Sequence, residues 1–212
     1  MFQNFQAWKL HTFEDYLTLI LVFVIGVVVF GFAIRRIYKR RNDAYAFKIV
    51  KKALNKLPAK EARVFHDITL TFGDKQLHYD HLLVDAAGIV AIRSIGWGIR
   101  IYGQADQPTW KAVDNKVEKM IDNPIAKLTE TFDTLRNGLS SYEIYGLTID
   151  PLAIFADPFS SPELYLGRDS YCIPFDELKK WKKQRRLRAE NKAQKLDIAK
   201  TVAAIEAASK KA

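Results

Sequence analysis

An uncharged run over residues 17–34 constrains this 212-residue chain more than any other feature. It is dense in Val, Ile, Leu and Phe. At about 1.5 Å per residue, a helix of this length nearly crosses the roughly 30 Å hydrocarbon core of a bilayer. A buried helix of a soluble domain does not need so unbroken an apolar run. A cleaved signal peptide usually carries only about 7–15 apolar residues before a small-residue cleavage site. The pattern therefore predicts a transmembrane helix.

Basic residues follow the apolar run at once, whereas the N-terminal flank has Lys9 against Glu14 and Asp15. By the positive-inside rule, residues 1–16 are predicted to face outward and the bulk of the chain to be cytoplasmic, at an inner or plasma membrane. The polybasic segment 35–43 is either a topology signal alone or a contact for anionic headgroups. Its candidate membrane-surface residues are Arg35, Arg36, Lys39, Arg40 and Arg41.

The formal net charge of +9 is unevenly distributed along the chain. Residues 42–178 carry 15 basic and 19 acidic side chains, whereas residues 179–212 carry 12 basic and 3 acidic ones. A duplex-binding domain more often has its own positive field, which counts against strong nucleic-acid binding by residues 42–178 alone. The single cysteine, Cys172, excludes an intrachain disulfide, and no Cys/His zinc spacing is present.

Apolar periodicity between residues 44 and 178 predicts an α/β domain. A helix ends at Pro58, strands cover residues 65–72, 77–84 and 89–95, and Gly73 with Asp74 forms the first turn. These strands form an antiparallel meander against the helix. Asn123 and Pro124 begin a second helix, which is followed by a buried strand over residues 151–155. The predicted buried face of the second helix comprises Ile125, Leu128, Phe132, Leu135 and Leu139.

The order of motifs in residues 44–178 resembles the nuclease-related domain, NERD. In that pattern an Asp-His pair on one strand precedes a glycine, a further strand, and a Trp-x-Gly-x-Ile-x-Gly-like segment. The matching positions here are Asp80, His81, Gly88, Trp97, Ile101 and Gly103. The resemblance implies a restriction-endonuclease-like mixed sheet flanked by helices, and a role in nucleic-acid processing. The transmembrane helix and a basic C-terminal helix are additions to it.

The catalytic positions of the resembling family are largely replaced in this chain. In that family Asp and Glu carboxylates hold Mg²⁺, and the Lys of Glu-x-Lys orients the attacking water. Here Arg93 stands in place of that Glu, and Ile95 in place of that Lys. Phe47 stands in place of a metal-binding Glu on the first helix, so Asp80 is the one remaining family carboxylate. With these positions replaced, we expect no catalytic residue and no metal site in this chain. We also expect Arg93 to pair with Asp80.

Two other groups are candidates for function. His78 and Asp80 share one face of their strand, so an active nuclease with relocated Mg²⁺ or Mn²⁺ ligands is an alternative. Trp97, Arg100 and Tyr102 form an aromatic-basic group. Such a group either stacks on bases and contacts phosphates, or packs with the guanidinium over a ring.

The C-terminal tail, residues 179–212, is predicted to continue a single basic helix that begins near residue 175. It can lie on an anionic membrane, bind nucleic-acid phosphates, dock a partner through its apolar stripe, or be a plain soluble extension. The stripe contains Leu196, Ile198, Val202 and Ile205. Its candidate nucleic-acid-binding residues are Lys182, Lys183, Arg185, Arg186 and Arg188.

These features favour a membrane-anchored, catalytically degenerate nuclease-like domain that serves as a binding or scaffold module, with nucleic acid as a candidate ligand. The alternatives are the relocated metal-dependent nuclease and a structural subunit of a membrane complex. Expected partners are the membrane and other membrane proteins. The sequence has no phosphate loop and no Ser/His/Asp set, and no small-molecule substrate is evident.

Overall fold

A computed structural model describes residues 13–39, 41–114, 117–167 and 170–210, and the chain divides into two compact units at Lys39. The helices of the described residues are α1 (Phe13–Lys39), α2 (Asp43–Leu54), α3 (Pro124–Thr129), α4 (Phe132–Ser140), α5 (Leu178–Asn191) and α6 (Ile198–Ser209). The strands are β1 (Ala62–Phe72), β2 (Lys75–Asp85), β3 (Gly88–Ile95), β4 (Arg100–Gly103), β5 (Thr109–Asp114), β6 (Val117–Asp122), β7 (Ile149–Phe155), β8 (Glu163–Leu166) and β9 (Cys172–Pro174).

Helix α1 forms the described part of the first unit. Its segment Tyr16–Arg36 has 21 residues and a mean hydropathy of 3.0, and none of its apolar window is buried. By length and composition it can span a membrane. Arg35 and Arg36 are exposed near its C-terminal end. Residues 1–12 and the predicted headgroup contact Arg40 lie outside the described residues.

The second unit contains two mixed sheets flanked by helices. The five-stranded sheet has the order β1-β2-β3-β7-β9, in which β1, β2 and β3 are antiparallel and β7 and β9 run parallel to β3. The four-stranded sheet has the order β6-β5-β4-β8, with a parallel β4–β8 pair. The predicted meander and its turn at Gly73 are confirmed, although β1 begins at Ala62.

Each face of the five-stranded sheet is covered by helices. Successive residues of a strand point to opposite faces, so Leu82 and Leu83 belong to different clusters. Leu83 packs with Leu54 of α2 and Leu178 of α5. Leu82 belongs to the cluster that contains residues of α4 and Ile205 of α6. Strands β2 and β3 therefore lie between two apolar layers.

The predicted helix after Asn123 is two helices, α3 and α4. The side-chain Oδ1 of Asn123 accepts hydrogen bonds from the backbone N–H groups of Ile125 and Ala126, as its N-cap position predicts. The helix breaks near Thr131, whose hydroxyl donates to the Leu128 carbonyl and accepts from Tyr79. Such local hydroxyl bonds compete with the helical ladder, which explains the break. All five predicted apolar positions are nevertheless buried.

The prediction of one continuous tail helix is wrong. Helix α5 ends at Asn191, Lys192 is extended, and α6 begins after its N-cap Asp197. The linker is held to the β2–β3 turn, because Leu196 N–H donates to the Ala86 carbonyl and Lys192 Nζ donates to the Ala87 carbonyl. The buried residues of α6 pack on the sheet, mainly against β1, so the tail is part of the core: Thr201, Ala204, Ile205 and Ala208.

Two glycines of the resembling pattern have steric roles. Gly88 has φ +135°, and a Cβ there would lie 2.3 Å from the Thr148 carbonyl oxygen. A Cβ on Gly103 would lie 2.2 Å from the ring of Trp110, which is fully buried. Both positions exclude a side chain, and both allow the close approaches that join β3 to the segment before β7 and β4 to β5.

Candidate functional site

The expected pair between Asp80 and Arg93 is present on the neighbouring strands β2 and β3. Arg93 Nη1 donates to Asp80 Oδ1 at 2.9 Å, and the Ser94 backbone N–H donates to Asp80 Oδ2 at 2.9 Å. The Asp80 side chain is only 13% exposed, and that of Arg93 is 49% exposed. Both carboxylate oxygens are therefore occupied, and a guanidinium lies where a cation would have to bind. These residues do not fit a Mg²⁺ site, which needs several oxygen ligands in a tight octahedron.

Of the other two replaced positions, Phe47 lies on the opposite face of the sheet from Asp80, whereas Ile95 shares a face with Arg93 by strand alternation. Phe47 on α2 stacks on His81, with ring centroids 4.6 Å apart. Because Asp80 and His81 are successive residues of β2, they point to opposite faces, and Phe47 lies on the His81 side. Ile95 is half-buried and packs at the edge of the cluster that contains Trp97.

A chain of polar side chains runs from α2 into the sheet beneath Phe47. Asn55 Oδ1 lies 2.7 Å from His66 Nε2, the two imidazole Nδ1 atoms of His66 and His81 are 2.8 Å apart, and His81 Nε2 lies 2.9 Å from Ser94 Oγ. Every contact is satisfied when His66 donates to Asn55, His81 donates to His66, and Ser94 donates to His81. That pattern requires both imidazoles to be neutral.

Burial keeps this histidine pair neutral. It lowers the pKa of His81 to about 3, and the neighbouring His66 and Lys51 add to the effect. Burial and Lys51 also lower the pKa of His66 below its usual range. Sequence reasoning missed this hydrogen-bonded row of side chains. The alternation of β2 predicts the face on which His81 lies, but it does not predict which residues pack against it.

We expect the fold to lose stability in mild acid. The unfolded chain binds a proton at His81 near pH 6.5, whereas the folded chain binds it only near pH 3. The free energy of unfolding therefore has its full value above about pH 6.5 and decreases as the pH falls below that value. Between about pH 7.5 and about pH 5 the loss is roughly 2 kcal/mol. Urea unfolding followed by circular dichroism measures it. His81→Gln should flatten the decline and His78→Gln, at an exposed position, should not. Equal declines in wild type and His81→Gln would refute this origin.

The aromatic-basic group predicted after β3 is separated in the structure. Trp97 is 5% exposed, and the guanidinium carbon of Arg41 lies 5.1 Å from its ring centroid. Arg41 Nε also donates to the buried Asp114 at 2.9 Å. Trp97 therefore serves packing rather than base stacking. Arg41, one of the predicted membrane-surface residues, is thus held by the domain, with 33% of its side chain exposed.

Arg100 and Tyr102 instead lie on the outer face of the four-stranded sheet. Tyr102 stacks on Tyr165 of β8, with ring centroids 4.8 Å apart and an angle of 6° between the planes. Sequence reasoning missed Tyr165. The available signal was the alternation in β8, where Leu164 and Leu166 pack toward the core and place Tyr165 outside.

Arg185 is a structural residue of the tail, which corrects its assignment as a nucleic-acid contact. It is 7% exposed. Its Nε and Nη2 donate to the two oxygens of Asp85 at 2.7 and 3.0 Å, and its Nη1 donates to Asp150. Such a planar two-point contact is the geometry that a guanidinium provides and an ammonium does not. All three nitrogens of this guanidinium are therefore engaged by carboxylates.

The other candidate nucleic-acid-binding residues of the tail differ in their exposure and in their partners. Arg186 pairs with Glu61 and Glu190, and Arg188 pairs with Asp150, each from an exposed position. Lys182 Nζ donates to the Ala53 carbonyl, and burial together with Lys56 lowers the pKa of Lys182. Lys183 is exposed, as are Lys179 and Lys180 on the same helix.

Fold and site together define a class: a mixed α/β domain with two sheets flanked by helices, in which Asp80 and Arg93 form an ion pair on neighbouring strands. The family model of the nuclease-related domain, NERD, matches residues 43–156. That range is more than half of the chain, and the chain belongs to the NERD family. It runs from the start of α2 to just beyond β7, so α5 and α6 lie outside the match. No curated protein and no solved structure matched the chain.

Proposed function

We propose that this chain is a membrane-anchored NERD domain that has lost metal-dependent cleavage and serves as a binding or scaffold module. The observation that carries the proposal is the double occupation of Asp80 by the Arg93 guanidinium and the Ser94 backbone N–H. A divalent cation would have to displace both donors and would gain a single carboxylate. Ile95 offers no polar group to orient a water molecule.

The relocated-nuclease alternative has less support. In the part of the chain that the structure describes, no three His, Cys, Asp or Glu side chains are grouped so that they could hold a metal ion. His78 is half exposed and lies 3.6 Å from Asp67, which is itself exposed. Two such exposed ligands do not make a catalytic metal site, which requires a fixed coordination geometry with more protein ligands.

Helix α1 supports the proposal of a membrane anchor. Its apolar segment is long enough to cross the bilayer, and Arg35 and Arg36 follow on the C-terminal side. In the proposed orientation the N-terminus faces outward and the NERD domain lies in the cytoplasm. The basic residues near Arg35 would then lie beside the anionic inner leaflet, where each contributes about 1 kcal/mol of attraction.

The tail packs into the folded unit, so its charge counts toward the net charge that a ligand meets. Because α5 and α6 pack into the second unit, the net charge of +9 of residues 179–212 adds to −4 for residues 42–178 and +1 for Arg41. The sum is +6 for residues 41–212. Lys179, Lys180 and Lys183 are exposed on α5. A folded unit of this charge favours polyanions such as nucleic acids, which we propose as its ligands.

We expect the full chain in lipid nanodiscs to leave labelled DNA and RNA intact with Mg²⁺ or Mn²⁺ present. The reason is that Asp80 is already neutralised and the Glu-x-Lys functions are missing. Gel electrophoresis of the labelled strands measures this, with a metal-free sample and Asp80→Asn as controls. Cleavage by wild type that requires metal and disappears in Asp80→Asn would overturn the proposal.

A further inference from the structure

The four-stranded sheet has one face turned away from the core, and that face carries an ordered row of side chains. The strand register places Tyr165, Tyr102, Lys111 and Met120 side by side, one on each of β8, β4, β5 and β6. Tyr165 is 54% exposed, Tyr102 36% and Met120 60%. We call this row the tyrosine platform. Large apolar side chains lined up and exposed in this way indicate a contact surface.

Beside the stacked tyrosines lies an open depression of about 550 Å³. Its walls are held in place before any ligand arrives. The Gln104 backbone N–H donates to Gln107 Oε1 at 3.0 Å, and Trp110 Nε1 donates to the Gln104 carbonyl at 2.8 Å. The lining combines aromatic faces, amides and a cation: Tyr102, Gln104, Gln107, Thr109, Lys111 and Met120.

The charges on this face are balanced. Lys111 pairs with Glu118 at 2.7 Å, and Tyr102 together with the charge of Glu163 raises the pKa of Arg100 above its usual value. A surface that worked by phosphate neutralisation alone would carry an excess of positive charge. Stacking on aromatic rings needs no such excess, because every base presents a π face. The chemistry of the platform therefore suits exposed bases better than a duplex backbone.

We propose that the tyrosine platform binds single-stranded nucleic acid. A base stacks against the Tyr102–Tyr165 pair, the amides of Gln104 and Gln107 contact its edge, and Arg100 and Lys111 contact the flanking phosphates. This inference rests on the proposed binding function and names its ligand. Amide side chains are suited to base edges because they donate and accept at once.

The test uses the full chain in nanodiscs of neutral lipid and a 15-nucleotide oligothymidylate with 2-aminopurine at its centre. Anisotropy of a terminal dye reports binding, and 2-aminopurine quenching reports stacking. Tyr102→Ala and Tyr165→Ala should each weaken binding about tenfold and abolish quenching. Tyr102→Phe keeps the ring and should bind nearly as wild type. Tyr145→Ala is the matched control, because Tyr145 is 71% exposed and lies before β7, outside the platform.

A shallow salt dependence and weaker binding of the corresponding duplex are further expected results. The inference is overturned if both alanine variants bind like Tyr145→Ala, or if binding depends only on Lys179, Lys180 and Lys183 of α5. It is also overturned if the platform is covered by a co-purifying protein that these variants release. The proposed function fails by a different result, which is metal-dependent cleavage of DNA or RNA. That cleavage is measured in a separate assay and does not depend on the two tyrosines. Melting temperatures and the Tyr102→Phe variant separate lost stacking from lost fold.

Discussion

Replacing Arg185 by methionine is expected to lower the free energy of unfolding by about 3–5 kcal/mol. Arg185 is the partner of Asp85, whose side chain is 6% exposed, and it also pairs with Asp150. Methionine fills most of the volume but supplies no donor, so the Asp85 carboxylate would stay buried with the Ala87 N–H as its remaining bond. An uncompensated buried charge is far more costly than a lost surface pair.

Urea unfolding of the full chain in nanodiscs, followed by tryptophan fluorescence, measures this loss. Arg186→Met is the matched control, because Arg186 is the next residue on α5, is 59% exposed, and pairs only with exposed acids. We expect it to cost less than about 1 kcal/mol. Similar losses in the two variants would contradict a structural role for Arg185 and would return the tail to the status of a loosely attached extension.

Replacing Ile205 by alanine is expected to cost about 2–5 kcal/mol of unfolding free energy. Ile205 is fully buried in the cluster that joins α6 to the sheet and to α4, which also contains Leu70 and Leu135. The cost contains the lost transfer of the side chain and the cavity left behind. Leu187→Ala is the control, since it deletes the same number of carbon atoms from a side chain that is 49% exposed.

The same urea experiment measures both variants. If Ile205→Ala and Leu187→Ala lose equal stability, α6 does not pack as described. A large loss confined to Ile205 has a practical consequence. A fragment ending before α6 would expose the apolar surface of β1 and α4, so binding assays on such a fragment would report unfolding rather than the function of the tail.

Strands β1, β2, β3 and β7 were predictable because their signals are local, whereas the four-stranded sheet and β9 were not predicted. The alternation in β1 and β2 and the turn at Gly73 are properties of neighbouring residues, as is the cap of α3 at Asn123. The interruptions of the helices were not predictable in this way. The break at Thr131 depends on Tyr79, which is far away in sequence, and the break after Asn191 depends on the β2–β3 turn. Periodicity carries no information about such distant partners.

In the candidate site, too, only the contacts between neighbouring strands were predictable. The Asp80–Arg93 pair was predictable, because residues on adjacent antiparallel strands of a meander become neighbours once the register is given. The position of Phe47 was not predictable, since its helix can place it on either side of β2. The role of Arg185 was also missed, because a lysine- and arginine-rich helix gives no sign that one of its cations meets two carboxylates from β2 and β7.

Titration of the full chain with Mn²⁺, followed by electron paramagnetic resonance of the free ion, tests the loss of the metal site most directly. Wild type and Asp80→Asn should bind Mn²⁺ equally weakly, because Asp80 is already held by Arg93 and Ser94. Arg93→Glu should create measurable binding by freeing Asp80 and adding a second carboxylate. Arg136→Glu, the same charge change at an exposed residue of α4, should not. Tight Mn²⁺ binding by wild type that disappears in Asp80→Asn would contradict this account.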